Sequence, residues 1–153
     1  MEGSVKVGDK APAFSLKSQT GQVVSLSDYL GKKAVVLYFY PKDMSTGCTK
    51  EACAFRDAYE DFKDAGAEVI GVSSQSQESH SIFSTTYNLP FLLLVDEDSA
   101  VRKLYGVPSS LGVIPGRVTY VIDKQGIVRH IFQSQLDIQG HVQKALEVLK
   151  SLV

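Results

Sequence analysis

Cysteine is scarce in this chain: two residues among 153 are too few to form a disulfide scaffold. A reducing intracellular compartment, with a chemical task for the two thiols, fits that scarcity better. Long apolar runs are also missing, and none approaches the roughly 20 residues that span a bilayer. Charge of one sign is not in excess: the net charge is −1, so no basic field recommends nucleic acid or an anionic membrane as partner. Met1–Lys6 lacks the hydrophobic stretch of a secretory leader, so this form is not expected to be a secretory precursor, and a transit peptide already removed is compatible with it. Linkers, internal repeats and low-complexity segments are lacking too. An apolar fraction of 44% suits one globular domain over residues 1–153.

What is present is an alternation of buried-strand and helix-period segments. Ala13–Leu16 and Val23–Leu26 flank Gln19-Thr20-Gly21 and read as an N-terminal hairpin. Lys33–Tyr40 is β-branched and aromatic along its length, as expected of a central strand buried on both faces. A helix is expected over Gly47–Asp64, ended by Ala65-Gly66. Strands then follow at Glu68–Ser73, Phe91–Val95, Arg117–Asp123 and Ile127–Phe132, with helices at Gln77–Tyr87, Ser99–Tyr105 and His141–Leu152. In the last helix Val142, Ala145, Leu146, Leu149 and Leu152 share one face. The order implies an α/β fold with a central mixed sheet and helices on both faces.

The two cysteines lie five residues apart, just after Pro41-Lys42-Asp43-Met44-Ser45-Thr46-Gly47. Cys48, Ala52, Phe55, Tyr59 and Phe62 follow helical steps, so Cys48 starts a stripe that faces the sheet. At a helix start, backbone N–H groups favour a thiolate. Cys53 is turned about 140° around the axis, toward Arg56, Asp57 and Glu60, and its Cα should lie about 8.7 Å from that of Cys48. A disulfide rarely tolerates Cα atoms more than about 7 Å apart, so bonding requires the first turns of the helix to unwind. Plain core packing competes for Cys53. A zinc site is a second alternative, but His80, His130 and His141 are scattered singly and read as surface or capping residues. A permanent disulfide is disfavoured by the same geometry.

Tyr38-Phe39-Tyr40-Pro41 and Gly47-Cys48-Thr49-Lys50-Glu51-Ala52-Cys53-Ala54-Phe55-Arg56-Asp57 resemble the peroxiredoxin Q, or bacterioferritin comigratory protein, group of peroxiredoxins. The resemblance continues through Ala65–Ser73, Leu89-Pro90-Phe91, Tyr105–Pro108 and Pro115–Asp123. It implies a thioredoxin-like fold and a thiol-dependent peroxidase that reduces hydroperoxides without a cofactor or metal. Cys48 would be the peroxidatic cysteine and Cys53 the resolving one, joined as a disulfide after reaction. Pro41, Ser45 and Arg117 would complete the site, with Thr46 and Gly47 lining it. Ser45 would donate to the peroxide and position it, and Pro41 would limit water and stiffen the loop. Thioredoxin or a similar dithiol would regenerate the enzyme. The resemblance favours a monomer, in the cytoplasm or in an organelle such as the plastid.

Ser45-Thr46 stands where family members usually carry Thr-Pro. Serine keeps the hydroxyl without the methyl that restricts it, and Thr46 frees a backbone angle that proline fixes. The loop should therefore be less rigid, and Thr46 could compete for the hydroxyl role. Two rivals of another kind stand beside the enzyme: a redox sensor or relay read through Cys48–Cys53, and a binding module that merely retains the cysteines. The joint presence of Pro41, Ser45, Cys48 and Arg117 favours peroxidase chemistry.

Overall fold

A computed structural model describes residues 5–107, 109–110 and 114–152. Its centre is the apolar run Ala34–Phe39 (β3), buried at every position as its composition implies. β3 runs parallel to β4 (Ala67–Ser73) and antiparallel to β8 (Val118–Ile122). β5 (Leu92–Val95) extends the sheet beyond β4, and β9 (Val128–Gln133) beyond β8, giving a mixed five-stranded order β5-β4-β3-β8-β9. Before it come β1 (Ser15–Lys17) and β2 (Val23–Ser25), the expected antiparallel hairpin, shorter than the sequence suggested. Ser109–Ser110 (β6) pairs with Ile114–Pro115 (β7) just before Arg117, a small hairpin too short to leave a periodic signal.

Alternation along β3 sorts two cores. Val36, Tyr38 and Tyr40 point to the face covered by helices α1 (Thr46–Asp57), α2 (Tyr59–Asp64), α3 (Gln77–Tyr87) and α5 (Ile138–Ser151). Val35, Leu37 and Phe39 point to the other face, under Phe14, Val24 and the short helix α4 (Ala100–Tyr105). Helices do cover both faces, though unequally. Gly71 on β4 has a packing reason, since an ideal Cβ there would lie 2.9 Å from Tyr38 Cζ. Without a side chain at Gly71, the Tyr38 ring lies over β4 and stacks on Phe55 of α1, with centroids 4.5 Å apart.

The helix expected over Gly47–Asp64 is two helices. Ala58 leaves helical geometry at φ −98°, ψ 4°, and the chain restarts as α2. Alanine is the strongest helix former, so propensity gives no warning of the break. The offset lets Phe55 and Phe62 bury together while Tyr59 donates to Glu68 at 2.7 Å. α5 begins at Ile138, three residues before the expected start. Asp137 caps it by accepting from the Gly140 N–H at 3.0 Å. At Gly140 an ideal Cβ would meet Phe132 Cζ at 2.6 Å, so any side chain there would have to push Phe132 of β9 aside. On α5, Val142, Ala145 and Leu149 are buried as expected, whereas Leu152 is exposed.

Candidate active site

Cys48 occupies the third position of α1, whose N-cap is Ser45, and it is 1% exposed. Its stripe is the predicted one: Cys48, Ala52 and Phe55 are buried, but Glu51 is buried with them. The first helical hydrogen bond inside the N-terminus is Thr49 N–H to Ser45 O, at 2.8 Å. The preceding N–H groups, those of Thr46, Gly47 and Cys48, therefore have no partner within the helix ladder. They form a ready-made place for negative charge.

Ser45 does not present a free proton. Its hydroxyl donates to the Lys42 carbonyl at 2.9 Å, so in this arrangement its oxygen is left as an acceptor. Thr46 is exposed at the first helical position, and Gly47 and Pro41 are half-buried. Gly47 borders the arginine closely, since an ideal Cβ would lie 3.0 Å from Arg117 Nη2.

The loop holding Pro41 and Ser45 is pinned from below by Asp43, which is buried. Tyr40 donates its hydroxyl to Asp43 Oδ1 at 2.6 Å, and Ser79 donates to Oδ2 at 2.8 Å. His80 Nδ1 also meets Oδ2, while its Nε2 lies 2.8 Å from the Leu94 carbonyl and so must carry hydrogen. Gln75 receives the Asp43 N–H at 2.9 Å and donates to the Pro41 carbonyl at 3.3 Å. Met44 is held at φ 65°, a left-handed angle that a residue other than glycine adopts at a cost. This network supplies the anchoring that a proline at position 46 would have shared.

Arg117 arrives from the start of β8 as predicted. Its Nη1 donates to Glu51 Oε1 at 2.6 Å, and its guanidinium lies close enough to Cys48 for the cation and a thiolate to stabilise each other. Burial lowers the arginine pKa, but Glu51 and Cys48 outweigh it and the net shift is upward, so the cation persists. Arg117 Nε has no hydrogen-bond partner among the described residues. A planar fork anchored on one nitrogen thus keeps donors for an oxygen brought to Cys48.

Behind Glu51 lies His141, one of two histidines expected at the surface that the fold buries; the other is His80. Burial, partly offset by the Ser134 carbonyl, lowers the His141 pKa to about 4, so the ring is neutral. Nε2 donates to Ser134 O at 2.7 Å, which leaves Nδ1 to accept the Thr119 hydroxyl at 2.7 Å. Glu51 Oε2 lies 3.7 Å from that Nδ1 and has no hydrogen-bond partner among the described residues. Burial therefore raises the Glu51 pKa to about 7 despite the opposing pull of Arg117. The Tyr38 hydroxyl shares the enclosure, and burial, then Glu51 and Cys48, hold its pKa well above the ordinary value.

The folded pKa of Glu51 thus exceeds its ordinary value. Its contribution to stability is complete below about 4.5 and is lost as pH rises through about 7. In Glu51→Gln that loss should vanish, so thermal unfolding of the reduced variant should depend less on pH than wild type across this window. Parallel curves for the two proteins would contradict the assignment.

Cys53 is half-buried, and both cysteines are free. It opens into a cleft of about 520 Å³ between α1 and the start of α5, lined by Lys50, Ala54, Asp57, Leu136, Ile138 and Gln139, among others. Of the polar neighbours expected from helix geometry, Asp57 shares this cleft, whereas Arg56 turns away to donate to the Tyr87 carbonyl at 2.8 Å. With α1 intact through both positions, the ideal-helix separation of about 8.7 Å holds the sulfurs apart. No group of three or more His, Cys, Asp or Glu among the described residues is arranged to hold a metal ion, and no described helix is long and apolar enough to cross a membrane.

Glu51 and His141 each had a sequence signal. Glu51 lies three residues after Cys48 and four before Phe55, on the buried stripe. His141 lies four before Ala145 and eight before Leu149, again on the buried face. Thr119 pairs with Tyr38 in the sheet, a relation only the register reveals.

Residues 7–131 match the family described as AhpC/TSA. A chloroplastic peroxiredoxin Q of Sedum lineare is 54% identical over 149 residues, covering 97% of this chain and 80% of the relative. Among solved structures, peroxidoxin BcpB of Mycobacterium tuberculosis superposes with a TM-score of 0.90 at 35% identity, covering 97% of this chain and 99% of its own. A Xanthomonas campestris bacterioferritin comigratory protein, described for alkyl peroxide reduction, superposes with a TM-score of 0.85 at 28% identity, with 97% of both chains covered.

Proposed function

Since the chain belongs to the AhpC/TSA family, within its peroxiredoxin Q group, and is a thiol-dependent peroxidase served by a thioredoxin-type reductant, we propose how its residues divide the work. Cys48 is the peroxidatic residue. Its thiolate attacks the hydroxyl-bearing oxygen of a hydroperoxide, the O–O bond breaks, and the second oxygen leaves as hydroxide or alkoxide. The leaving oxygen takes hydrogen bonds from the Arg117 donors not committed to Glu51. The N–H groups of Thr46, Gly47 and Cys48 face the charge that moves through the site. Ser45 accepts from the peroxide O–H and sets its angle, and Pro41 narrows the approach of water.

The product is a sulfenic acid on Cys48. Cys53 then attacks that sulfur, water leaves, and an intramolecular disulfide forms after the first turns of α1 open. The reductant restores both thiols by exchange. Carrying this reading is one observation: a buried Cys48 at a helix start, beside an arginine that Glu51 holds by one nitrogen.

Both sulfurs, Ser45 and Arg117 come from one chain, which supports action as a monomer and as one domain. Organic hydroperoxides join hydrogen peroxide as substrates, supported by the Xanthomonas protein's description. The chloroplastic names of relatives support a plastid or another reducing compartment. Amide exchange tests the opening step. Oxidised protein should lose protection over residues 50–55 relative to reduced protein. Unchanged protection with the disulfide formed would refute helix unwinding as the gate.

A further inference from the structure

Cys53 presents its sulfur to the cleft between α1 and the β9–α5 connection, and this cleft has an unusual rim. Leu136 is 92% exposed, well beyond the next most exposed large apolar side chain described, Val7 at 59%. The backbone around it is fixed: Asp137 N–H donates to Ser134 Oγ at 3.0 Å, and Ile138 N–H to Leu136 O at 3.0 Å. A leucine held out into solvent by a hydrogen-bonded turn offers apolar area that a partner can bury on docking. Ile138 and Ala54 continue the apolar surface toward Cys53, while Lys50, Asp57 and Asp137 stand around it with mixed charge.

We propose that this cleft is the docking surface for the protein dithiol that reduces the enzyme, with Leu136 as its apolar anchor and the Cys53 sulfur as the atom attacked. The inference rests on the peroxidase reading above. What identifies the occupant is covalent necessity, because a reductant must bring a thiolate in line with one sulfur of the Cys48–Cys53 bond. In the reduced protein Cys48 is enclosed and Cys53 faces the cleft, so Leu136 and Ile138 stand on the Cys53 side of the bond that forms when α1 opens. The reductant thiolate bonds to Cys53 sulfur and the Cys48–Cys53 bond breaks, releasing Cys48 as a thiolate that returns to Arg117. The reductant's second thiol then attacks the mixed disulfide, freeing Cys53 and leaving the reductant oxidised. Leu136 and Ile138 lie outside the segment between the cysteines, so opening of α1 does not require the anchor to move. A partner whose reactive cysteine sits in an apolar, weakly charged surface fits this rim.

The test is Leu136→Asp, with Leu136→Met as the apolar replacement and Ile82→Asp, on exposed α3 surface, as the control. Preoxidised protein is reduced either by thioredoxin or by dithiothreitol, and peroxide oxidation of the reduced protein is followed separately. Leu136→Asp should raise the KM for thioredoxin about tenfold or more, the effect of losing one good apolar anchor. Its peroxide step and its reduction by dithiothreitol should match wild type, and the other two variants should keep the wild-type KM. A Leu136→Asp KM equal to wild type overturns the proposal, as does an equal slowing with dithiothreitol. Wild type that fails to react rapidly with peroxide would remove the peroxidase reading itself, a distinct result.

Discussion

Cys48→Ser should abolish peroxide consumption, whereas Cys53→Ser should consume one equivalent and then stop. The two thiols differ in place before they differ in chemistry. Cys48 is enclosed at the head of α1, against Arg117, so serine there keeps the packing and removes the nucleophile. Cys53 is half-buried at the rim of a cleft, and serine there leaves the attacking site untouched. Single-turnover mass spectrometry separates the outcomes. Cys53→Ser should gain one oxygen atom at Cys48, with further oxygen added only under excess peroxide. Cys48→Ser should gain none. Wild type should lose two hydrogens as the disulfide forms. A Cys53→Ser protein that ignores peroxide while Cys48→Ser reacts would reverse the roles.

Arg117→Lys should slow the reaction with peroxide by about 10²- to 10³-fold, comparable to removing a donor aimed at developing charge. The charge survives this substitution, but the fork does not. Arg117 holds Glu51 Oε1 through Nη1, stands beside Cys48, and keeps further donors, Nε among them, uncommitted. One ammonium cannot do all three at once. Arg117→Met is the poorer probe. It removes the cation that offsets the burial of Glu51, so the carboxyl takes up a proton and two groups of the site change at once. Stopped-flow oxidation of Arg117→Lys should therefore be slow in a protein that still folds. A rate within twofold of wild type would show that the helix start alone activates Cys48.

Much of this site is written in local patterns. The spacing of Cys48, Ala52 and Phe55 gives the buried stripe, and the continuous apolar run at Ala34–Phe39 gives the central strand. What could not be read depends on tertiary contact. Ala58 breaks a helix that its own propensity would continue, at a point between Phe55 and Phe62, whose rings end 5.7 Å apart. Ser45 spends its proton on the Lys42 carbonyl, a bond set by the fold of the loop. The pairing of Asp43 with His80 joins residues 37 positions apart, and that of Thr119 with His141 joins residues 22 apart, and no periodicity announces either. Glu51 is the instructive case. Its place on the apolar stripe was visible, but a charged residue reads as solvated until a buried arginine is known to wait for it.

The folded α1, with Arg117 against its head, is what makes Cys48 reactive. The most direct measurement is the second-order rate of thiol oxidation by hydrogen peroxide in native protein and in the same chain unfolded in urea. The native chain should react orders of magnitude faster, with the fast phase confined to Cys48. Equal rates in the two states would show that the fold contributes nothing to the thiol's reactivity.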